Sequence, residues 1–256
     1  MALVTFLSDF GGKDYYIPAV KAKMLAINPQ LNIIDISHDI NPFDIAHAAF
    51  ILKSTFREFP KGTVHLIGMN TTGGMTDGYI GVKLEEHIFI GPNNGILSLL
   101  ADNDPGIIVK FADIHVQDTP FPTKDILAPI AAKVASGAAI HDFGGPFANF
   151  KKLISRQSKV TRDQILGHVV HIDGYGNLIT NIRKTDFEKL NPGSFSLEFA
   201  RERLEKLNKG YDQVEPGDCF AFFNSLDLLE IGINHGHAGE LLGLKLDSVI
   251  YLNFPQ

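Results

Sequence analysis

From Leu3 to Ser136, short apolar, β-prone runs alternate with segments whose apolar residues recur at helical spacing, and this alternation leaves few folds open to the chain. Leu3–Leu7 reads as a buried strand ending at Ser8-Asp9. Residues 14–28 then carry apolar side chains at Ile17, Val20, Met24, Leu25 and Ile27 and stop at Asn28-Pro29, the pattern of a helix. The unit repeats: Asn32–Ile36 reads as a strand, Asp44–Phe56 as a helix and Thr63–Met69 as a second buried strand. Tyr79–Leu84 and His87–Gly91 read as a strand pair, Pro92-Asn93-Asn94-Gly95 as a turn with a positive φ, and Ile126–Ser136 as a further helix. Strand–helix–strand order favours parallel pairing with helices on both faces, so the expected fold class is α/β with a largely parallel sheet.

The texture changes between Phe143 and Thr161, where Gly, Pro and Lys replace clear periodicity, and a linker is expected there. Beyond it short strands dominate: Ile165–Ile172, Leu178–Asn181, Phe195–Phe199, Cys219–Phe223, Leu229–Ile233 and Ser248–Leu252. Many short strands without long helices suggest a smaller all-β, barrel-like domain. The expected division is an α/β domain over residues 1–160 and a β-barrel domain over 161–256. With 256 residues, 45% of them hydrophobic, the chain has enough apolar material for full cores.

Composition removes several function classes. The formal net charge is −6 and Lys and Arg are scattered, so there is no basic footprint for nucleic acid. Cys219 is the single cysteine, which excludes an intramolecular disulfide and a Cys-rich zinc site and points to a reducing cytoplasm. No run approaches the roughly 18 apolar residues of a membrane span, and the N-terminus lacks the basic region of a secretion signal. None of the ten histidines falls in a metal-binding helix motif, and His235-Gly236-His237 reads as a solvated loop pair. No metal is expected.

Two acidic turns carry the chemistry. Ser8-Asp9-Phe10-Gly11-Gly12-Lys13-Asp14 follows the first strand, at the edge where open α/β sheets place ligands. A carboxylate at Asp9 can accept two hydrogen bonds from vicinal ribose hydroxyls; the alternative role is a turn or helix cap. Asp14 can likewise cap the first helix or face a ligand ammonium. Asp173-Gly174-Tyr175-Gly176-Asn177 sets an aromatic ring between a carboxylate and an amide, suited to a flat base, although a hairpin turn alone would use the same glycines. Met69-Asn70-Thr71-Thr72-Gly73-Gly74-Met75 could line a polar pocket, but it lacks the frame of a phosphate-binding Walker loop.

Taken in order, SDFGGKDYYIPAVKAKML, IIDISHDINPFDIAHAAFIL, GTVHL, GPNNGIL, DILAPIAA, DGYGNLITN and NSLDLLEIGINHGHAGELLG resemble the S-adenosylmethionine hydrolases (SAM hydroxide adenosyltransferases), relatives of fluorinase and chlorinase. The resemblance spans almost the whole chain. It implies a homotrimer that holds S-adenosylmethionine or adenosine at its subunit interfaces, with no cofactor besides that ligand. By position, Asp9 would hold the ribose hydroxyls, Asp14 the methionine amino group, and Phe43 an aromatic face against the ribose. Asp173, Tyr175 and Asn177 would bind the nucleoside and methionine portions, and Ser225 would lie near the methionine carboxylate. The resemblance also implies a departure. Where the hydrolases carry Asp, Arg and His around the attacking water, this chain has Asn70, Asp77 and Pro122. Asn70 and Thr123 align with the halide-pocket tyrosine and serine of the fluorinase. The activity implied is cleavage of S-adenosylmethionine at an altered nucleophile site; the alternative is a non-catalytic sensor or assembly protein.

Overall fold

A computed structural model describes residues 2–72, 77–100, 106–112, 119–190 and 193–254 of the chain. Two compact units divide it, Met1–Ser155 and Arg156–Gln256.

In the first unit β1 (Leu3–Ser8), β2 (Asn32–Ser37), β3 (Val64–Gly68), β4 (Tyr79–Leu84), β5 (His87–Pro92), β6 (Ile107–Phe111) and β7 (Gly144–Pro146) form one sheet in the order β2-β1-β3-β5-β4-β6-β7. The first four in that order run parallel, and β4, β6 and β7 add antiparallel pairs. Helix α1 (Tyr16–Leu25) connects β1 to β2, and α2 (Ile45–Thr55) connects β2 to β3. The chain thus leaves β1 toward one neighbour and returns past it to lay down the other. The carboxyl ends of β1 and β3 therefore flank a topological switch point, where such sheets leave a crevice for a ligand.

Period-two alternation splits each strand between two cores. Val4 and Phe6 of β1 join Leu66 of β3, Val20 and Met24 of α1, and Ala131 and Ala132 of α3 (Ala128–Ala135) on one face. Leu7 and Ile67 join Ala48, Ala49 and Leu52 of α2 on the other. Each fully buried Leu, Ile, Phe or Met removes apolar area worth about 1.5–3 kcal/mol from water, so both helices are held by one apolar stripe each.

Two local expectations change. The segment from Phe143 onward is not all linker: Gly144–Pro146 is the edge strand β7, and Phe150 is buried in the second core. Gly144 is required there because a Cβ would stand 1.9 Å from the Lys110 carbonyl oxygen, and its lack of a side chain hid the strand's periodicity. The helix expected from Ile126 is preceded by a π-helical turn, Thr123–Leu127, before α3 begins.

The second unit is a nearly closed antiparallel, barrel-like sheet. β9 (Gln164–Ile172), β10 (Leu178–Arg183), β11 (Ser196–Phe199), β12 (Glu202–Leu204), β13 (Cys219–Phe223), β14 (Leu228–Ile233) and β15 (Val249–Asn253) follow the order β12-β11-β15-β9-β10-β14-β13, and β8 (Lys159–Val160) also pairs with β9. Alternate residues, among them Ile165, Leu178, Leu197, Leu229, Ile231, Ile250 and Leu252, fill its interior. Two short helices, α4 (Lys184–Leu190) and α5 (Ala238–Leu241), interrupt the strands.

Candidate functional site

At the end of β1 the chain turns through Asp9, whose Oδ2 accepts the Phe43 amide proton at 3.2 Å. Gly11, at φ +69°, donates its amide to the His38 carbonyl at 2.9 Å. These bonds join the loop after β1 to the loop after β2. Phe43 itself is held at φ +69° with its ring 65% exposed, so it offers an apolar face beside Asp9 to solvent or to a ligand. Asp14 is exposed and does not cap α1, because the helix begins after Tyr15 with no side-chain cap. Phe10, Tyr16 and Phe121 make edge or tilted contacts at 5.5–5.7 Å and form an aromatic cluster next to this loop.

Just beyond β3 lies a buried polar cluster. The hydroxyls of Thr71 and Thr123 are 3.2 Å apart, both side chains being buried. The Tyr79 hydroxyl donates to the Thr71 carbonyl at 2.8 Å, and Asn94 Nδ2 donates to the Met69 carbonyl at 3.0 Å, so backbone on both sides of Asn70 is fixed. Burial pushes the Tyr79 phenol up to about 12, which keeps it a neutral donor. Asn70 sits between them at φ +50°, 9% exposed, with a buried Oδ1 that has no protein partner. An unpaired buried acceptor is costly, and a bound molecule with a donor would relieve it. Asp77 is exposed, and Pro122 immediately precedes the π-turn. Gly73, Gly74 and Met75 lie outside the described residues.

In the second unit the Asp173–Asn177 turn is built on its own carboxylate. Asp173 Oδ1 accepts the amides of Tyr175 and Asn177, each at 2.9 Å, and Oδ2 accepts Asn177 Nδ2 at 3.1 Å. Of about four lone-pair sites on a carboxylate, one is left for a ligand. Tyr175 projects, 84% exposed, whereas Asn177 is buried. Gly176 (φ +87°) lies under the His237 ring, where a Cβ would meet Cγ at 2.3 Å, and its carbonyl accepts the Gly239 amide at 3.0 Å. The turn and the His235–His237 segment line a cleft of about 720 Å³ together with Tyr211 and Phe220, a size suited to a nucleoside.

Ser225 occupies a different turn, exposed between β13 and β14. That turn hangs on Asn224, whose Nδ2 donates to Glu230 Oε2 at 3.0 Å and whose Oδ1 accepts the Leu226 amide at 2.9 Å. Glu230 is 3% exposed with Oε1 lacking a hydrogen bond; burial raises its pKa, and the nearby Asp173 charge adds to that. Thr71, Tyr211 and Glu230 were not singled out from sequence. Thr71 carries only the signal of its loop, and Glu230 is a single carboxylate in an otherwise apolar strand, a pattern with no motif to mark it.

The structure therefore brings Asp9 to Phe43, Thr71, the neighbour of Asn70, to Thr123, and Asp173 to Tyr175 and Asn177. Among the described residues no group of three or more His, Cys, Asp or Glu could hold a metal ion, and no helix is long and apolar enough to cross a membrane.

A mixed, partly parallel sheet with polar loops at its switch point, followed by a nearly closed barrel-like sheet that carries a cleft, defines an α/β protein with a barrel-like second unit. Residues 4–144 match the SAM hydroxide adenosyltransferase N-terminal domain and residues 167–251 the C-terminal domain of the same family, and the chain belongs to that family. It is 30% identical over 262 residues to the (R)-S-adenosyl-L-methionine hydrolase of Methanocaldococcus jannaschii, covering 96% of this chain and 94% of that protein. A fluorinase from Actinoplanes sp. is 25% identical over 226 residues, 75% of each chain. The crystal structure of a conserved protein from Thermotoga maritima superposes with a TM-score of 0.88 at 28% identity, covering 98% of this chain and 99% of that one.

Proposed function

We propose that this protein binds S-adenosylmethionine and cleaves it to adenosine and methionine by nucleophilic attack on the ribose 5′ carbon, at a nucleophile site altered from that of its hydrolase relatives. The observation that carries this reading is the buried Thr71–Thr123 hydroxyl pair beside Asn70, whose Oδ1 is unpartnered, at the switch point next to the Asp9 loop. Asp9 holds the ribose diol and Phe43 covers it. Asp14 meets the methionine ammonium and Ser225 its carboxylate. Tyr175 and Asn177 receive the nucleoside, with Asp173 chiefly shaping their turn. A homotrimer with the ligand at subunit interfaces is part of the same reading and rests on the family's assembly.

The chemistry asks little of a base. A C5′–O bond forms as the C5′–S bond breaks, and the sulfonium leaves as the neutral thioether of methionine. The water's proton passes to solvent, so positioning and partial desolvation of the nucleophile supply most of the rate. Asn70 cannot take that proton, and Asp77 and Pro122 stand where the resemblance places the relatives' Arg and His. In this chain Asn70 Oδ1 and the Thr71 and Thr123 hydroxyls orient the nucleophile instead.

A second reading, a non-catalytic S-adenosylmethionine or adenosine binder, is favoured by the same amide and proline, which remove the relatives' means of activating water. Incubating the protein with both sulfonium epimers of S-adenosylmethionine, with and without halide, separates the two by chromatography. Adenosine supports the cleavage reading, and a 5′-halogenated nucleoside would make halide the nucleophile. Saturable binding in calorimetry without any product supports the second reading, and absence of binding rejects both.

A further inference from the structure

His38 stands at the centre of a series of polar side chains, running from buried Ser8 out to partly exposed Asp35 and Lys21, that the proposed reaction does not use. The Ser8 hydroxyl, fully buried at the end of β1, lies 2.7 Å from His38 Nδ1. On the far side His38 Nε2 lies 3.0 Å from Asp35 Oδ1, off the line of a hydrogen bond but in direct electrostatic contact, and Asp35 Oδ2 accepts from Lys21 of α1. The ring packs edge-on against Phe6 at 4.6 Å. A carboxylate facing Nε2 keeps the proton on that nitrogen and leaves Nδ1 as an acceptor. Ser8 then donates to Nδ1, and its remaining lone pairs accept the Phe10 amide at 3.4 Å. Burial lowers the His38 pKa, which keeps the ring neutral in this arrangement.

The order of contact, Ser8–His38–Asp35, is that of a nucleophile relay, but Ser8 has no exposed surface and cannot meet a substrate. What the chain does instead is hold Asp9 from both sides. The His38 side chain binds Ser8, the residue before Asp9, while its carbonyl accepts the amide of Gly11, two residues after it.

We infer that His38 is a positioning residue that sets the Asp9 carboxylate for a vicinal diol, acting through Ser8 and the Gly11 amide. This rests on the reading of Asp9 as the ribose-binding group.

Calorimetry with adenosine and with 2′,3′-dideoxyadenosine tests it, because only the first offers a diol. In His38→Phe, which keeps a ring against Phe6, adenosine affinity falls about tenfold while dideoxyadenosine affinity stays within about twofold. His38→Asn, whose amide oxygen can accept from Ser8, recovers most of the loss. His38→Phe adds nothing once Asp9→Ala is present, as expected for groups acting as a unit. If His38→Phe fails to fold by circular dichroism, Ser8→Ala carries the same expectation from the other partner. Equal loss for both nucleosides, no loss for either, or full additivity with Asp9→Ala overturns the inference. Unchanged adenosine affinity in Asp9→Ala alone would instead overturn the ribose reading beneath it.

Discussion

The methyl of Thr123 lies 2.9 Å from where a Cβ on Gly68 would stand, so the π-turn closes onto the end of β3 only because that strand ends in glycine. Phe10 of the Asp9 loop approaches the same point at 3.3 Å. Gly68 is thus the place where the proposed nucleophile cluster and the proposed ribose loop share one wall. Gly68→Ala should push Thr123 or Phe10 aside, lower stability by about 1–3 kcal/mol through overpacking, and reduce turnover more than tenfold. Thermal unfolding and steady-state kinetics on the same preparation check both effects.

Thr123→Val keeps the buried shape and removes only the hydroxyl opposite Thr71. If Thr123 orients the nucleophile as proposed, the expected outcome is a fall in kcat of about tenfold with the dissociation constant for S-adenosylmethionine nearly unchanged. An equal rise in KM with kcat preserved would place Thr123 in ligand binding instead.

Gly176→Ala meets two obstacles together, a φ of +87° and the His237 ring 2.3 Å away. About 1–3 kcal/mol of destabilisation is expected, from the left-handed backbone and the displaced ring. Nucleoside affinity should fall as well, since the Asp173–Asn177 turn and the His237 segment wall the same cleft. Denaturant titration and calorimetry read the two losses separately.

Acid should unfold the first unit through His65. Its Nδ1 lies 2.7 Å from the Thr5 hydroxyl and its Nε2 3.1 Å from His87 Nδ1, and burial lowers its pKa from 6.5 to about 3. The unfolded chain takes up this proton below about pH 6.5, whereas the folded chain resists it down to about pH 3. The unfolded state therefore binds more protons in that window, and stability falls as pH drops through it, by about 2 kcal/mol at pH 5 from this group. His65→Gln should lower stability at pH 7 yet flatten the slope between pH 7 and pH 4 in equilibrium urea unfolding. An unchanged slope would mean that other groups set the acid limit.

Much of the architecture was legible because it is local. The β1 run ending in Ser8-Asp9, the apolar stripe of α1 and the glycines of the Asp173–Asn177 turn each announce themselves within a few residues. What was missed depends on distant partners. β7 is three residues long and opens on Gly144, where the Lys110 carbonyl leaves no room for a side chain, so it has no alternating pattern to read. Thr71 acquires meaning only when Thr123, fifty-two positions later, meets it. Of the two roles the sequence leaves open for Asp14, the helix cap falls away because α1 starts at Tyr16 with no side-chain cap. The clamp of His38 on both flanks of Asp9 could not be seen from either segment alone.

The proposed reaction is attack of a nucleophile on the 5′ carbon of bound S-adenosylmethionine. Its most direct test is to run the reaction in ¹⁸O-labelled water and to analyse the nucleoside product by mass spectrometry. The expected product is adenosine carrying one solvent oxygen at the 5′ position, with methionine released in equal amount. Intact S-adenosylmethionine, or products of cleavage at a different bond of the sulfonium, would contradict it.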